Sequence, residues 1–293
     1  MPFGLDPITF VARSILVFAA WVEVPIGLSV AVPTPDAPGA PVARFVRMLW
    51  IPTALGLTVA LFLPAGPLAM ALILPWLATT VGVAVTGLAR FLARKEARFD
   101  LRELTIDAGL AYLPVGAVWA IVSRSNTDLL GFSGTKALLT ANHFHFAGFG
   151  ACVLVGALGR RELSPPRAWY LAAAGTVAGV ALVALGITVS HTIEVVAAWE
   201  LAASILVVAW LAGRAARRET RTPTRVLLAL SSLSGILPAA LAIHFSMTGF
   251  ERLSDEAFHR MVLFHGLINA VGFVGAGLAG LHLARPRSLS ASS

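Results

Sequence analysis

The chain has 293 residues, 57% of them hydrophobic and 13% charged, with a mean hydropathy of +0.82. Soluble domains carry about 25% charged residues, so the polar surface of a water-soluble globule is missing. A single cysteine, Cys152, excludes an intrachain disulfide and a thiolate metal cluster. The net charge of +7 sits in a hydrophobic chain, where basic residues mark cytoplasmic connections and need no nucleic acid to explain them.

Apolar runs long enough to cross a bilayer, broken by Pro, Gly and charge clusters, predict nine transmembrane helices. The first covers 8–31. "MPFGLDPITF" has no basic stretch ahead of the run and no small-residue cleavage site follows it, so a retained helix is expected and not a signal peptide. Inside it, "WVEVPIG" places Glu23 two residues before Pro25, which predicts a kink with the carboxylate paired to a cation.

The second and third helices, 45–63 and 67–91, are joined by "PAGP", too short for anything but an antiparallel hairpin. "ARFLARKEARFDLREL" (89–104) leads into the fourth, 104–122. Its charge is expected to fix topology, with a short amphipathic helix on an anionic leaflet as the alternative. Asp107 is expected to cap the fourth helix. The fifth, 135–158, carries "LLTANHFHFAGFG". The sixth and seventh, 168–189 and 192–213, are joined by "SHT" and form a second hairpin. The eighth and ninth cover 224–247 and 258–283.

The charges alternate with the spans. Seventeen of the 22 Lys and Arg fall on one set of connections: Arg44 and Arg47, the five between Arg90 and Arg102, Arg160, Arg161 and Arg167, the five between Arg214 and Arg225, and Arg285 and Arg287 in the tail. The other set holds Arg13, Arg124, Lys136, Arg252 and Arg260. By the positive-inside rule the first set is cytoplasmic, which puts the N-terminus outside and the C-terminus in the cytoplasm. The expected fold is an all-α polytopic bundle, residues 1–293 forming one transmembrane helical domain in the cell's inner (plasma) membrane. No internal repeat is visible.

Ionisable groups at membrane depth are costly and functional by default. At about 1.5 Å per residue, His143 and His145 lie about 12 to 15 Å below the outer face, Glu200 about 12 Å, His265 about 10 Å and Asn269 about 16 Å. Glu194, His191 and His244 fall near the interface and are expected to be solvated. His143 and His145, two apart, point about 200° from each other on a regular helix, so they cannot both ligate one ion unless the helix is locally distorted. In the ninth helix His265, Asn269, Gly272 and Ala276 share one stripe. The candidate substrate or proton site is therefore His143, His145, Glu200, His265, Asn269, Asn142 and Glu23.

Two stretches carry a resemblance. "LTANHFHFAGFG" resembles the Thr-Ala-x-His-Phe-His-Tyr-Ala-Gly-Phe segment of YndJ-like bacterial membrane proteins, and "FHGLINAVGF" their His-Gly-x-x-Asn-Ala-x-Gly-Phe segment. The first falls on Thr140, Ala141, His143, Phe144, His145, Ala147, Gly148 and Phe149, with Phe146 where the family has Tyr and so no hydroxyl there. The second falls on His265, Gly266, Asn269, Ala270, Gly272 and Phe273. The resemblance implies a multi-pass membrane protein of the kind labelled a transporter, and it points to these positions without naming a substrate.

Two functions fit. A transporter of a small or lipid-like substrate, driven by protons through its imidazoles and carboxylate, needs no cofactor. A membrane-embedded enzyme would use the same residues for acid–base work, or His143, His145, His265 and Glu200 to hold Zn, Fe or haem. No HExxH, histidine box or CxxCH is present. A structural or assembly factor, its polar residues serving only to lock helices together, is a third reading.

Overall fold

A computed structural model describes residues 6–284 apart from Leu163, and leaves out the side chains of Glu96 and Glu251. Arg285, Arg287 and the first five residues lie outside that range. Among the described residues nine helices are long and apolar enough to cross a membrane. They are α1 (Pro7–Ala31), α2 (Ala40–Phe62), α3 (Pro67–Ala93), α4 (Leu101–Val122), α5 (Gly134–Arg160), α6 (Arg167–Val189), α7 (His191–Arg218), α8 (Thr222–Thr248) and α9 (Asp255–Leu283). No strand occurs among these residues beyond an isolated bridge between Leu129 and Phe132.

Local chemistry sets the helix ends. Pro7 opens α1 and Pro67 opens α3, where a missing N–H costs nothing. Asp6 caps α1, its carboxylate accepting from the Ile8 and Thr9 amides at 3.1 and 2.9 Å. Asp100, and not Asp107, caps α4 through the Arg102 amide. Burial pushes the Asp6 carboxyl up, but its hydrogen bonds from Thr9 and Ile8 outweigh this and hold it below its ordinary value. The stabilisation from this cap is therefore complete above the ordinary aspartate range and is lost as pH falls through the lowered value. Asp6→Ala is expected to cost about 1 kcal/mol near neutral pH, with the difference from the native chain closing on acidification in thermal unfolding followed against pH.

The centre of the bundle is α5, whose most apolar window is 89% buried, against 28–56% in the other eight. Its small residues allow this. The Gly109 position of α4 sits against Cys152, Gly156 of α5 against Ile106, and Gly159 against the Trp169 indole. Such close approach is how helices associate in lipid, where apolar burial gives no preference for protein over acyl chain. Around α5 pack α1, α4, α6, α7 and α9, with α2 and α3 as an outer hairpin beyond α4.

Three helices depart from α-geometry. π-Helical turns run over Ala19–Glu23 in α1, Phe144–Ala151 in α5 and Met261–Gly275 in α9, and the three stretches touch one another. Helix α8 is interrupted at Gly235, three residues before Pro238.

The basic end is tied by charge. Arg90 donates to Asp107 at 2.7 Å and to Glu103 at 2.6 Å, Arg94 pairs with Asp107, and Arg160 grips Glu103 with two bonds of 2.6 Å. Arg160 also reaches the Val30 carbonyl at 3.0 Å, and Arg90 the Ala31 carbonyl, so α1, α3, α4 and α5 meet here. The 89–104 segment is thus not an amphipathic surface helix. It forms the end of α3, a 3₁₀ turn over Lys95–Phe99 and the start of α4, with Arg90 only 1% exposed. Asp107, expected as a cap, is an ion-pair partner, because α4 begins at Leu101, three residues earlier than the apolar pattern suggested, which puts Asp107 well inside the helix.

Candidate functional site

A cavity of about 250 Å³ opens between α5, α6, α7, α8 and α9, with Ile15 of α1 and Trp119 of α4 on its edge. Lys136, Thr188, Glu194 and Leu253 mark its mouth, so it lies toward the end opposite the basic connections. Most of its wall is apolar. Four of the seven sequence candidates line it: Asn142, His143, His265 and Asn269.

Each of the four is held by a neighbouring helix or left open. The Asn142 Nδ2 donates to the Ala12 carbonyl at 2.9 Å, and its Oδ1 is buried with no partner. His143 Nε2 lies 3.0 Å from the Val180 carbonyl, and His265 Nδ1 lies 2.9 Å from the Pro238 carbonyl. A carbonyl only accepts, so both of those nitrogens carry the hydrogen. The Asn269 Oδ1 is buried and unpartnered. His143 and His265 line the same cavity from different helices. The His265–Pro238 contact falls just beyond the Gly235 interruption of α8.

The other three candidates go elsewhere. His145 is 0% exposed, bonds the Ala141 carbonyl through Nδ1 at 2.8 Å and stacks on Trp76 with centroids 6.2 Å apart. It faces α3 and α4, where Gly116 makes room for its ring, and so points away from the cavity that His143 lines. Glu200 accepts from Ser204 at 3.0 Å and fits against Gly175 and Gly179 of α6, in the α6–α7 contact and outside the cavity. Depth alone had grouped it with the histidines; its direction around α7 separates them.

Glu23 is 1% exposed, and among the described residues neither carboxyl oxygen has a hydrogen-bond partner. Among the described residues no cation meets it, contrary to the expectation from its place beside Pro25. It sits where the three π-helical stretches converge: a Cβ on Gly150 would lie 1.9 Å from its Oε1 and 2.3 Å from Val274. Ala151, next to Gly150, lines the cavity, so the Glu23–Gly150 contact is one residue along α5 from the cavity lining. π-Turns of this kind are frequent at functional sites.

Glu194 reverses an expectation. It is 8% exposed, accepts the Phe250 amide at 2.8 Å and lies 3.3 Å from His191 Nδ1. The turn after α8 folds over the start of α7 and removes it from solvent. A buried acid directly after a short hairpin turn was the only cue in the sequence. His244 and His259 are exposed, while His282 meets Ser29 at 2.9 Å near the basic end.

The four candidate metal donors do not converge on one point. Among the described residues no three His, Cys, Asp or Glu side chains converge as a metal site. Of the four proposed donors, His145 and Glu200 face other helices, which leaves only His143 and His265 on one cavity, each with one ring N–H on a carbonyl and the other nitrogen open.

Among the described residues nine helices long and apolar enough to cross a membrane, one of them buried at the centre, define a multi-pass membrane protein. The chain belongs to the YndJ-like protein family, matching it over residues 14–273, a range that holds both histidine motifs and the residues of the cavity named above. It is 30% identical over 258 residues to the uncharacterized membrane protein YndJ of Bacillus subtilis (strain 168). That alignment covers 86% of this chain and 43% of the relative, so the chain spans less than half of the relative's length. No solved structure matches.

Proposed function

We propose that the protein is a transporter whose small, partly apolar substrate binds in the cavity between α5 and α9. The observation that carries this reading is an apolar chamber lined by polar side chains from separate helices, Asn142 and His143 on α5 and His265 and Asn269 on α9, with the two asparagine oxygens lacking a partner among the described residues. Pockets with a greasy wall and a few fixed polar groups are built to bind small molecules. The neighbouring π-turns and the interruption of α8 supply irregular backbone beside the site, as transporters often do. With the basic connections in the cytoplasm, the chamber opens to the outside. Glu23, buried against Gly150 one residue from the chamber lining and without a hydrogen-bond partner among the described residues, is the group through which a proton would accompany the substrate.

Purified protein in proteoliposomes, screened for uptake of small solutes, tests this. For the solute that is moved, His143→Ala and His265→Ala are each expected to lower uptake at least about tenfold, the worth of one buried hydrogen bond. Glu200→Gln is expected to change it less than about twofold, since that side chain faces α6. An imposed proton gradient is expected to drive uptake in the native chain and to fail with Glu23→Gln. Full uptake in both histidine variants would remove the assignment.

A further inference from the structure

The polar atoms of the cavity are almost all acceptors. Asn142 is oriented by its bond to the Ala12 carbonyl, so the oxygen it leaves open can only accept. His143 and His265 each spend one N–H on a main-chain carbonyl, and the second nitrogen of a neutral ring is a lone-pair acceptor. Protonating both rings would set two positive charges on the wall of one apolar chamber. Asn269 adds another open carbonyl oxygen, with its own amide NH₂ beside it.

The hydroxyl groups on the wall add no donors. Thr140, Thr188 and Ser246 donate to the carbonyls of Lys136, Ala184 and Ile243 in their own helices, at 3.0, 3.0 and 2.8 Å. Of the charged groups, Glu194 is a carboxylate at the mouth. Lys136 lies at the same level, its ammonium turned to the Gly131 carbonyl at 3.0 Å and over the Phe132 ring at 5.0 Å. Trp119 packs on Phe132 and against Phe144, Ala147 and Val180, and its indole N–H is the one side-chain donor this edge of the wall adds.

A chamber with this inventory is complementary to a ligand that donates and does not accept. From it we infer that the cavity binds a primary amine in its ammonium form, carried on a compact apolar body. An ammonium offers three donors and no acceptor, which suits the three fixed acceptors and the Asn269 oxygen. Carboxylates and phosphates bring only acceptors and would leave the lining unpaired. The apolar wall takes the body: a cavity of about 150 Å³ holds benzene, so about 250 Å³ has room for one aromatic ring or a short alkyl chain with its head group. This inference rests on the transporter reading only in that both use the same cavity as a binding site.

The test uses four probes of nearly one shape, benzylammonium, benzyl alcohol, benzoate and toluene, titrated into the purified full chain and followed by calorimetry and thermal shift. Benzylammonium is expected to bind at least about tenfold more tightly than benzyl alcohol, with benzoate weaker than toluene. Asn269→Leu is expected to erase the preference for the amine while leaving toluene binding in place. Benzoate or benzyl alcohol binding as well as benzylammonium would overturn the amine assignment and leave the cavity as a site. If no probe binds, toluene included, the cavity itself is not a ligand site, and this inference falls together with the transporter reading.

Discussion

Glu103→Gln is expected to destabilise the protein by about 3 kcal/mol, more than Arg90→Met does, when unfolding is followed in detergent or nanodiscs. Glu103 is held by two guanidinium groups at once, Arg90 and Arg160, and Asp107 by Arg90 and Arg94. The cluster therefore sets three positive charges against two negative ones. Removing Glu103 leaves three cations facing one anion, with Arg90 nearly fully buried. An uncompensated buried charge is the costly outcome of breaking such a network. Removing Arg90 leaves two balanced pairs, Arg94 with Asp107 and Arg160 with Glu103, and takes one donor from the Ala31 carbonyl. A loss below about 1 kcal/mol for Glu103→Gln would mean that the cluster behaves as a solvated surface network. An Arg90→Met loss larger than that of Glu103→Gln would refute the charge balance.

The second large effect is steric. Gly150→Ala is expected to cost about 1–3 kcal/mol, the usual cost of forcing atoms into a filled core. The added methyl would lie 1.9 Å from the Glu23 carboxylate and 2.3 Å from Val274. Glu23 is itself fully enclosed, so it has no empty space to turn into. Shortening the acid relieves one of the two clashes: Gly150→Ala with Glu23→Ala is expected to regain part of the loss, whereas Gly150→Ala with Glu23→Gln, equal in volume, regains none. Thermal stability of the three variants decides the matter. A Gly150→Ala protein as stable as the native one would show that α1, α5 and α9 are not packed at this seam as described.

Both predictions concern side chains that look exposed or interchangeable when read in order. Arg90, Arg94 and Glu103 fall in a run of charges that reads as a solvated connection. They are buried because α3, α4 and α5 end at the same level and turn their last charges toward one another. Glu200 and His143 share a depth, and depth follows from counting residues. The azimuth that sends one to α6 and the other into the cavity depends on which helix stands alongside. His143 and His145 were separable by their spacing, since residues two apart leave a helix on opposing sides. The π-turns had no distinct cue, because widening an α-helix by a residue is decided by what packs against it.

From the sequence alone came the number of membrane-crossing helices, the limits of most of them to within a few residues, and the family. Hydropathy and chain length settle these locally, since every backbone group in lipid must bond within its own helix. Tertiary structure decided that α5 is the buried centre, that four polar candidates share one cavity while Glu200, His145 and Glu23 do not, and that Glu194 is enclosed. Those outcomes depend on the rotation of each helix about its own axis. Rotation is set by contacts between residues far apart in the chain, which no local pattern records.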